Sequence, residues 1–395
     1  MISRTADMTR LQLLRRAGVG AVAFSGLGAV LSACGSGSDT ATTAAGATGG
    51  GASTTGTLSG TINYAGFSGE DAPEIAKPFL DEHGLKLKST YVAGNDDMLT
   101  KLQTGGTSSL DVLTLNKDYS ATEIAAGFVR PLDMERIPAA ADLFPAFQDA
   151  PWTHVDGNVY GVPLIWGDEP TIYQPKEVSG LPPSYTDFSD PKYKGQITTL
   201  DDAYSNIWLF SKSLGNADPA NITQEQLDQV LEALIAVKAN IVSLAASFGD
   251  MTDLLVRGDA AIAINGWAAM IGMAEEKGVK LEAGTPSKDG TYYWSDAYYI
   301  TSDAPNVDAA YAYIDYMTDP EQNAKLAGTL LSACTNEKAL PLMSKDVSSL
   351  YDFSAVEQSS AGGALAQGIL PPIEPEGDIT GVQDWQAAWQ KFKVA

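Results

Sequence analysis

The sequence predicts an α/β protein with a mostly parallel sheet, organised as two compact domains. Three observations carry that expectation. Short apolar or alternating runs recur between longer runs of helical period. From residue 58 onward the two kinds alternate, strand then helix, which is the order that feeds parallel pairing. The chain of 395 residues is long enough for two hydrophobic cores, and its make-up of 44% hydrophobic and 19% charged residues is ordinary for a soluble globular body.

The elements follow in order. Residues 1–33 read as a secretory signal. Arg4, Arg10, Arg15 and Arg16 supply a basic start, and residues 17–33 are apolar and small. That run is at the lower edge for a membrane span and within the range of a signal's apolar centre. It ends in Leu31-Ser32-Ala33-Cys34 followed by Gly35, which resembles the bacterial lipobox, where the cysteine is lipidated and cleavage falls just before it. A chance cysteine after a signal is the competing reading. The Arg15-Arg16 pair also fits a twin-arginine signal, although Leu14 stands where Ser or Thr is usual, so Sec and twin-arginine export both stay open. Residues 34–57, the lipidated Cys34 and a Gly/Ala/Thr/Ser stretch, cannot bury a core and predict a flexible tether.

Residues 61–64 predict a strand and 70–83 an amphipathic helix with Ile75, Phe79 and Leu80 inward. Residues 85–92 alternate as a strand, 97–103 are helical, 111–115 form a buried strand, and 120–126 form a helix ended by Gly127. A second α/β region opens after residues 162–167. It has strands at 196–200, 260–264 and 279–283 and helices at 202–214, 224–238 and 267–276. Helices at 307–317 and 320–326 follow, and a final one at 382–393 places Trp385, Trp389 and Phe392 on one face.

Charge and scarce residue types exclude several functions. The formal net charge is −24, which disfavours nucleic acid and anionic membrane surfaces. Removing residues 1–33 takes away four basic residues and one acid, leaving 21 basic against 48 acidic. Two histidines, His83 and His154, and two cysteines, Cys34 and Cys334, allow no His/Cys metal cluster. With Cys34 lipidated, no intramolecular disulfide forms. No GxSxG elbow is present, so a hydrolase lacks both nucleophile and well-placed base. No metal or cofactor is expected.

One stretch stands out. Residues 291–300 read TYYWSDAYYI, with a single acid, Asp296, among tyrosines and Trp294. A carboxylate beside flat aromatic faces is a common way to hold an organic cation. A buried strand with a structural acid is the plainer reading. Tyr298 and Tyr299 are neighbours on that strand, so they point to opposite faces and read as core.

Five segments in order carry a resemblance: VPLIWG (162–167), YKGQITTLDDA (193–203), GDAAIAINGWAAM (258–270), YYWSDAYYI (292–300) and DPEQNAKLAGTL (319–330). From about residue 61 to its C-terminus the chain resembles ABC-importer substrate-binding proteins of the spermidine/putrescine-binding type. The resemblance implies a two-lobed periplasmic-binding-protein fold, type II-like, with the ligand cleft between the lobes. The first lobe is expected at 58–164 and 296–340, and the second at 165–295 and 341–395 with the C-terminal helix. In the family a hinge Trp-x-Asp stacks on a methylene chain and binds one amine, and Trp294-Ser295-Asp296 matches it. The second-lobe acid matches Asp202, which a helix N-cap would also explain. A second acid three residues on is replaced by Ser205. The aromatic loop near the N-terminus keeps Tyr64 and Phe67 but has Ala65 in place of a hydroxyl residue. The aromatic before Asn265-Gly266 is Ile264, with Trp267 following instead. The Ser-x-Tyr after the third strand is matched by Asn116-Lys117-Asp118, with Asn116 keeping a polar contact. Asp168 and Glu169 follow the first crossover, where relatives usually carry small neutral residues. One of them is expected to replace the acid missing at Ser205, against the alternative of a solvated pair before Pro170.

The resulting expectation is a lipid-anchored, extracytoplasmic, monomeric binding protein, not an enzyme. It takes a polyamine or similar organic cation to a membrane permease. An amino-acid derivative or sugar is the alternative ligand. None of Arg130, Arg136 and Arg257 lies in a matched site segment, which argues against anions. A structural surface lipoprotein would have no cleft.

Overall fold

Two sheets carry the fold. The computed structural model describes residues 58–92, 95–357, 363–366, 368 and 370–395. The expected signal, Cys34 and the tether, residues 1–57, lie outside the described residues.

The chain starts at β1 (Gly60–Gly66), α1 (Pro73–His83), β2 (Leu85–Tyr91), α2 (Asn95–Gln103), β3 (Val112–Asn116) and α3 (Lys117–Ala125). Strand β4 (Gly161–Asp168) then leads to β5 (Thr171–Tyr173), β6 (Ile197–Leu200), α4 (Ala203–Ser213), α5 (Gln224–Lys238) and β7 (Ile241–Ala245). After these come α6 (Phe248–Arg257), β8 (Ile262–Ala263), α7 (Ala269–Glu275) and β9 (Glu282–Gly284). Strand β10 (Tyr293–Ile300) returns the chain, followed by α8 (Val307–Thr318), α9 (Pro320–Leu330), β11 (Ala333–Cys334) and α10 (Val382–Val394).

The first sheet has six strands in the order β11-β4-β10-β3-β1-β2, and the second has five in the order β9-β5-β8-β6-β7. Strand β1 runs parallel to β2 and β3, and β6 runs parallel to β7 and β8. The other pairs are antiparallel, so both sheets are mixed rather than mostly parallel. The reason is the double crossing. Strand β4 takes the chain out of the first sheet and β10 brings it back beside β4, so their directions oppose.

Alternation along the strands sorts the cores. Ile62, Tyr64, Val112, Tyr298 and Ile300 pack on one face of the first sheet, with α8 and α9. Ala65, Leu113, Leu115, Ala297 and Tyr299 pack on the other. Tyr298 and Tyr299 are 1% and 0% exposed, on opposite faces as the strand period requires. In the second sheet's core, Ile197, Phe210, Leu227 and Val230 meet Trp385, Trp389 and Phe392 of α10.

Two details differ from the expected lobe boundaries. Both crossing strands pair within the first sheet over their whole length, with Tyr293 opposite Asp168. Met343, Val347, Tyr351, Phe353 and Leu365 also join the first core rather than the second. Phe353 sets its edge against Trp166 at 5.4 Å, and that aromatic contact holds the segment to the first sheet.

One helix boundary matters for the site. Helix α1 begins at Pro73, not at residue 70. Proline fits the first helical turn because the amide it lacks has no helical partner there. Ala72 precedes it in the left-handed region, φ 36°, and this turn frees Glu70 to point elsewhere.

Candidate functional site

A cleft of about 480 Å³ lies between the two sheets. Phe67, Glu70, Asn116 and Asp118 reach it from the first lobe, and Asp202, Tyr204, Phe248 and Trp267 from the second. Ile165, Glu169, Tyr292, Trp294 and Asp296 come from the crossing strands and their ends. Most of these follow the carboxyl ends of β1, β3, β4 and β6, where open α/β sheets leave a crevice.

Asp296 is 6% exposed and stands opposite Asn116 in the β10–β3 ladder. The Asn116 Nδ2 donates to its Oδ1 at 3.1 Å. Asn116 also caps α3, its Oδ1 accepting from the Asp118 amide at 3.2 Å. Glu70 is 3% exposed, and its carboxyl is hydrogen-bonded to that of Asp296. Thr114 Oγ1 donates to Glu70 Oε2, and the Tyr64 hydroxyl lies 2.8 Å from Thr114. Two carboxyls in contact hold one proton between them. Burial pushes Asp296 up to about 6 and holds Glu70 well above the usual carboxylate range, with Asp296 itself adding to the rise at Glu70.

Trp294 packs against core residues of both lobes. It stands opposite Gly167 in the β10–β4 ladder, and its indole lies on that glycine. A Cβ at 167 would come within 2.7 Å of Trp294 Cζ2, so only glycine admits the ring there. Trp294 and Asp296, two apart on one strand, both face the cleft.

Asp202 caps α4, accepting from the Ser205 amide at 2.7 Å and the Ser205 hydroxyl at 2.5 Å. Ser205 in turn accepts from Asn265 Nδ2 at 2.7 Å. The residue that replaces an acid is therefore 2% exposed and fixes the orientation of Asp202. Glu169 is pinned by its backbone: its amide donates to the Tyr292 carbonyl at 3.0 Å, and Thr291 Oγ1 donates to its carbonyl at 2.7 Å. Its Oε2 is enclosed without a hydrogen-bond partner. Burial, then Asp202, Asp118 and Asp168, hold its carboxyl well above the usual range.

Tyr292, packed in the second core against Trp208, donates its Oη to Asp118 Oδ2 of the first lobe. Lys117 Nζ lies 3.2 Å from Asp118 Oδ1, their side chains 2% and 1% exposed. The same ammonium sits 4.8 Å from the centre of the Tyr292 ring.

Of the residues expected from sequence, Phe67, Asn116, Glu169, Asp202, Trp267, Trp294 and Asp296 line the cleft. Two do not. Tyr64 is 0% exposed; the pleat of β1 turns it into the core under α8, and it reaches the cleft only through Thr114 and Glu70. Asp168 points to the other side of β4, toward Asp352 and Tyr293; burial, with Asp352 adding to it, raises it to about 6. Sequence reasoning missed Glu70 and Asp118 as site residues. Glu70 falls within the helix predicted from residue 70, which instead starts at Pro73, and Asp118 falls within the segment matched to Ser-x-Tyr. Both follow the carboxyl end of a strand, and that position was the available signal.

Among the described residues, no group of three or more His, Cys, Asp or Glu could hold a metal ion. No described helix is long and apolar enough to cross a membrane.

The chain matches the bacterial extracellular solute-binding protein family over residues 74–354. The spermidine/putrescine-binding periplasmic protein of Salmonella typhimurium is 24% identical over 288 residues, 71% of this chain and 79% of that protein. A putrescine/agmatine-binding protein of Pseudomonas aeruginosa is 26% identical over 290 residues, 69% of this chain and 78% of that protein. The spermidine/putrescine ABC transporter substrate-binding protein PotD from Streptococcus pneumoniae superposes with a TM-score of 0.70 at 21% identity. That match covers 85% of this chain and 97% of that one, so the two-lobed binding-protein fold is shared.

Proposed function

This chain belongs to the bacterial extracellular solute-binding protein family, whose members bind solutes and are not enzymes, and from that premise we propose that it captures a small organic cation, a polyamine or a related amine, between its lobes for delivery to an ABC permease. The single observation that carries the ligand class is the charge of the cleft wall. Glu70, Asp118, Glu169, Asp202 and Asp296 line it together with Trp267, Tyr292 and Trp294, and no lysine or arginine among the described residues does. Such a wall repels anions. It offers an alkylammonium both charge partners and aromatic faces, in a space poor in water. In this reading Asp296 and Glu70 hold an ammonium, Trp294 covers the adjoining methylenes, and Phe67, Asn116, Asp202, Glu169 and Trp267 close the remaining surface. Closure of the lobes over the ligand would make the shape a permease reads.

A thermal-shift screen with putrescine, cadaverine, spermidine, agmatine, a sugar and a dicarboxylate tests it. A ligand at a hundred times its Kd adds about 2.7 kcal/mol to apparent stability, and amines alone are expected to raise Tm. A shift with the sugar or dicarboxylate and with no amine overturns the reading.

We also propose that Cys34 carries a lipid that keeps the body at the outer face of a membrane. Cys34→Ala is expected to give unlipidated protein that no longer partitions with membranes. Acylated N-terminal peptide in that variant, read by mass spectrometry, would refute the assignment.

A further inference from the structure

The acids of the cleft are not equally available to a ligand. Asp202 is engaged by the N-terminus of α4 and the Ser205 hydroxyl. Glu169 is held toward its neutral form by burial and three neighbouring acids. Asp118 already has a cation. Lys117 brings its ammonium to 3.2 Å from Asp118 Oδ1 and 4.8 Å from the Tyr292 ring centre, and both of those partners line the cleft. A carboxylate and an aromatic face around an ammonium is the arrangement proposed above for the ligand itself. The Glu70–Asp296 pair, by contrast, has Asn116 and Thr114 as donors.

We infer that Lys117 is a specificity-determining residue: from behind the cleft wall its ammonium already answers Asp118, so an amine is held chiefly by one charged end, at Glu70 and Asp296, and a second ammonium adds little affinity. This rests on the amine reading of the same cleft. The physical reason is like-charge exclusion. A second ammonium of a diamine or triamine would have to lie beside Lys117 or displace it from Asp118, and neither is favourable where both side chains are almost fully out of water.

The test is calorimetry with n-butylamine, putrescine and spermidine on the full-length protein and on Lys117→Met and Lys117→Gln. The glutamine amide can still donate to Asp118, which keeps the wall satisfied if the methionine variant folds poorly. Removing the tethered charge is expected to raise putrescine and spermidine affinity at least tenfold and to change n-butylamine less than threefold. Adding Asp118→Asn is expected to cancel the gain. An equal gain for n-butylamine would mean a general field effect, and an unchanged or weakened diamine in the folded variants would mean a structural lysine. Either result overturns the inference while leaving the amine reading standing. If the wild type takes none of the three amines, the amine reading falls and this inference falls with it.

Discussion

Asp296→Asn tests the candidate site most directly, because it keeps the shape of the cleft and removes one charge. Truncating one partner of a buried, hydrogen-bonded charge pair costs about 2–5 kcal/mol. Two features place this case within that range. Asp296 is 6% exposed, which argues for a large loss. Glu70 touches it and is raised partly by it, so once the neighbouring charge is gone Glu70 ionises more readily and takes over part of the role. The expected loss is therefore about 2–3 kcal/mol, roughly 30- to 150-fold in Kd. The variant should be no less stable than wild type when empty. Asp296 moves from its ordinary 3.8 to about 6 in the fold, so the folded state binds its proton more tightly than the unfolded state does. Stability is full below about pH 4 and is lost as pH rises to about 6, an effect on the order of 3 kcal/mol. Asp296→Asn removes that loss and flattens the pH profile of the empty protein. Calorimetry with the best amine from the screen, paired with denaturation at pH 4 and pH 7, reads both effects. A change in Kd of less than threefold with the fold intact would place the amine somewhere other than on Asp296.

Three further outcomes follow from the same geometry. Amine affinity of the wild type should fall as pH drops below about 6, up to tenfold per pH unit, because Asp296 then takes up a second proton and the Glu70–Asp296 pair loses its remaining charge; a flat profile from pH 7 to 5 would contradict a charged Asp296 as the cation's partner. Glu169→Gln should change amine binding only modestly, because its carboxyl is already held toward the neutral form, and Asp168→Asn should stay within threefold of wild type, because it does not line the cleft; a larger loss for Asp168→Asn than for Glu169→Gln in calorimetry would reassign the pair. Gly167→Ala should push the indole of Trp294 out of place, costing about 1–3 kcal/mol of stability and weakening amine binding with no change in any carboxylate; an unchanged Kd would show that the indole does not contact the ligand.

How much was legible in advance differed by element. Strand β1, helix α5 and helix α10 could be read locally, because period and capping residues act over a few positions. Trp294 and Asp296 could be paired from sequence because they are two apart on one strand, and that spacing alone puts them on one face. The same local logic failed at Tyr64 and Glu70. Tyr64 is an aromatic at the right place in the chain, but the pleat of β1 sends it into the core. Glu70 looks like a first-turn helix acid until Pro73 and the left-handed Ala72 move the helix start. The direction of the sheets was likewise not local. The order of strands and helices suggested parallel pairing, while β4 and β10 pair antiparallel because the chain leaves and re-enters one lobe side by side.

The sequence by itself therefore determined the α/β class, the acid–aromatic stretch of β10 and the acidic balance of the chain, since these depend on residue identity and on spacings of two to four residues. Only the tertiary structure decided which acids share a proton and which are already answered. Glu70 and Asp296 are 226 positions apart, and Lys117 and Tyr292 are 175 apart. Charges that far apart along the chain acquire their pKa values and partners only where folding removes the water between them.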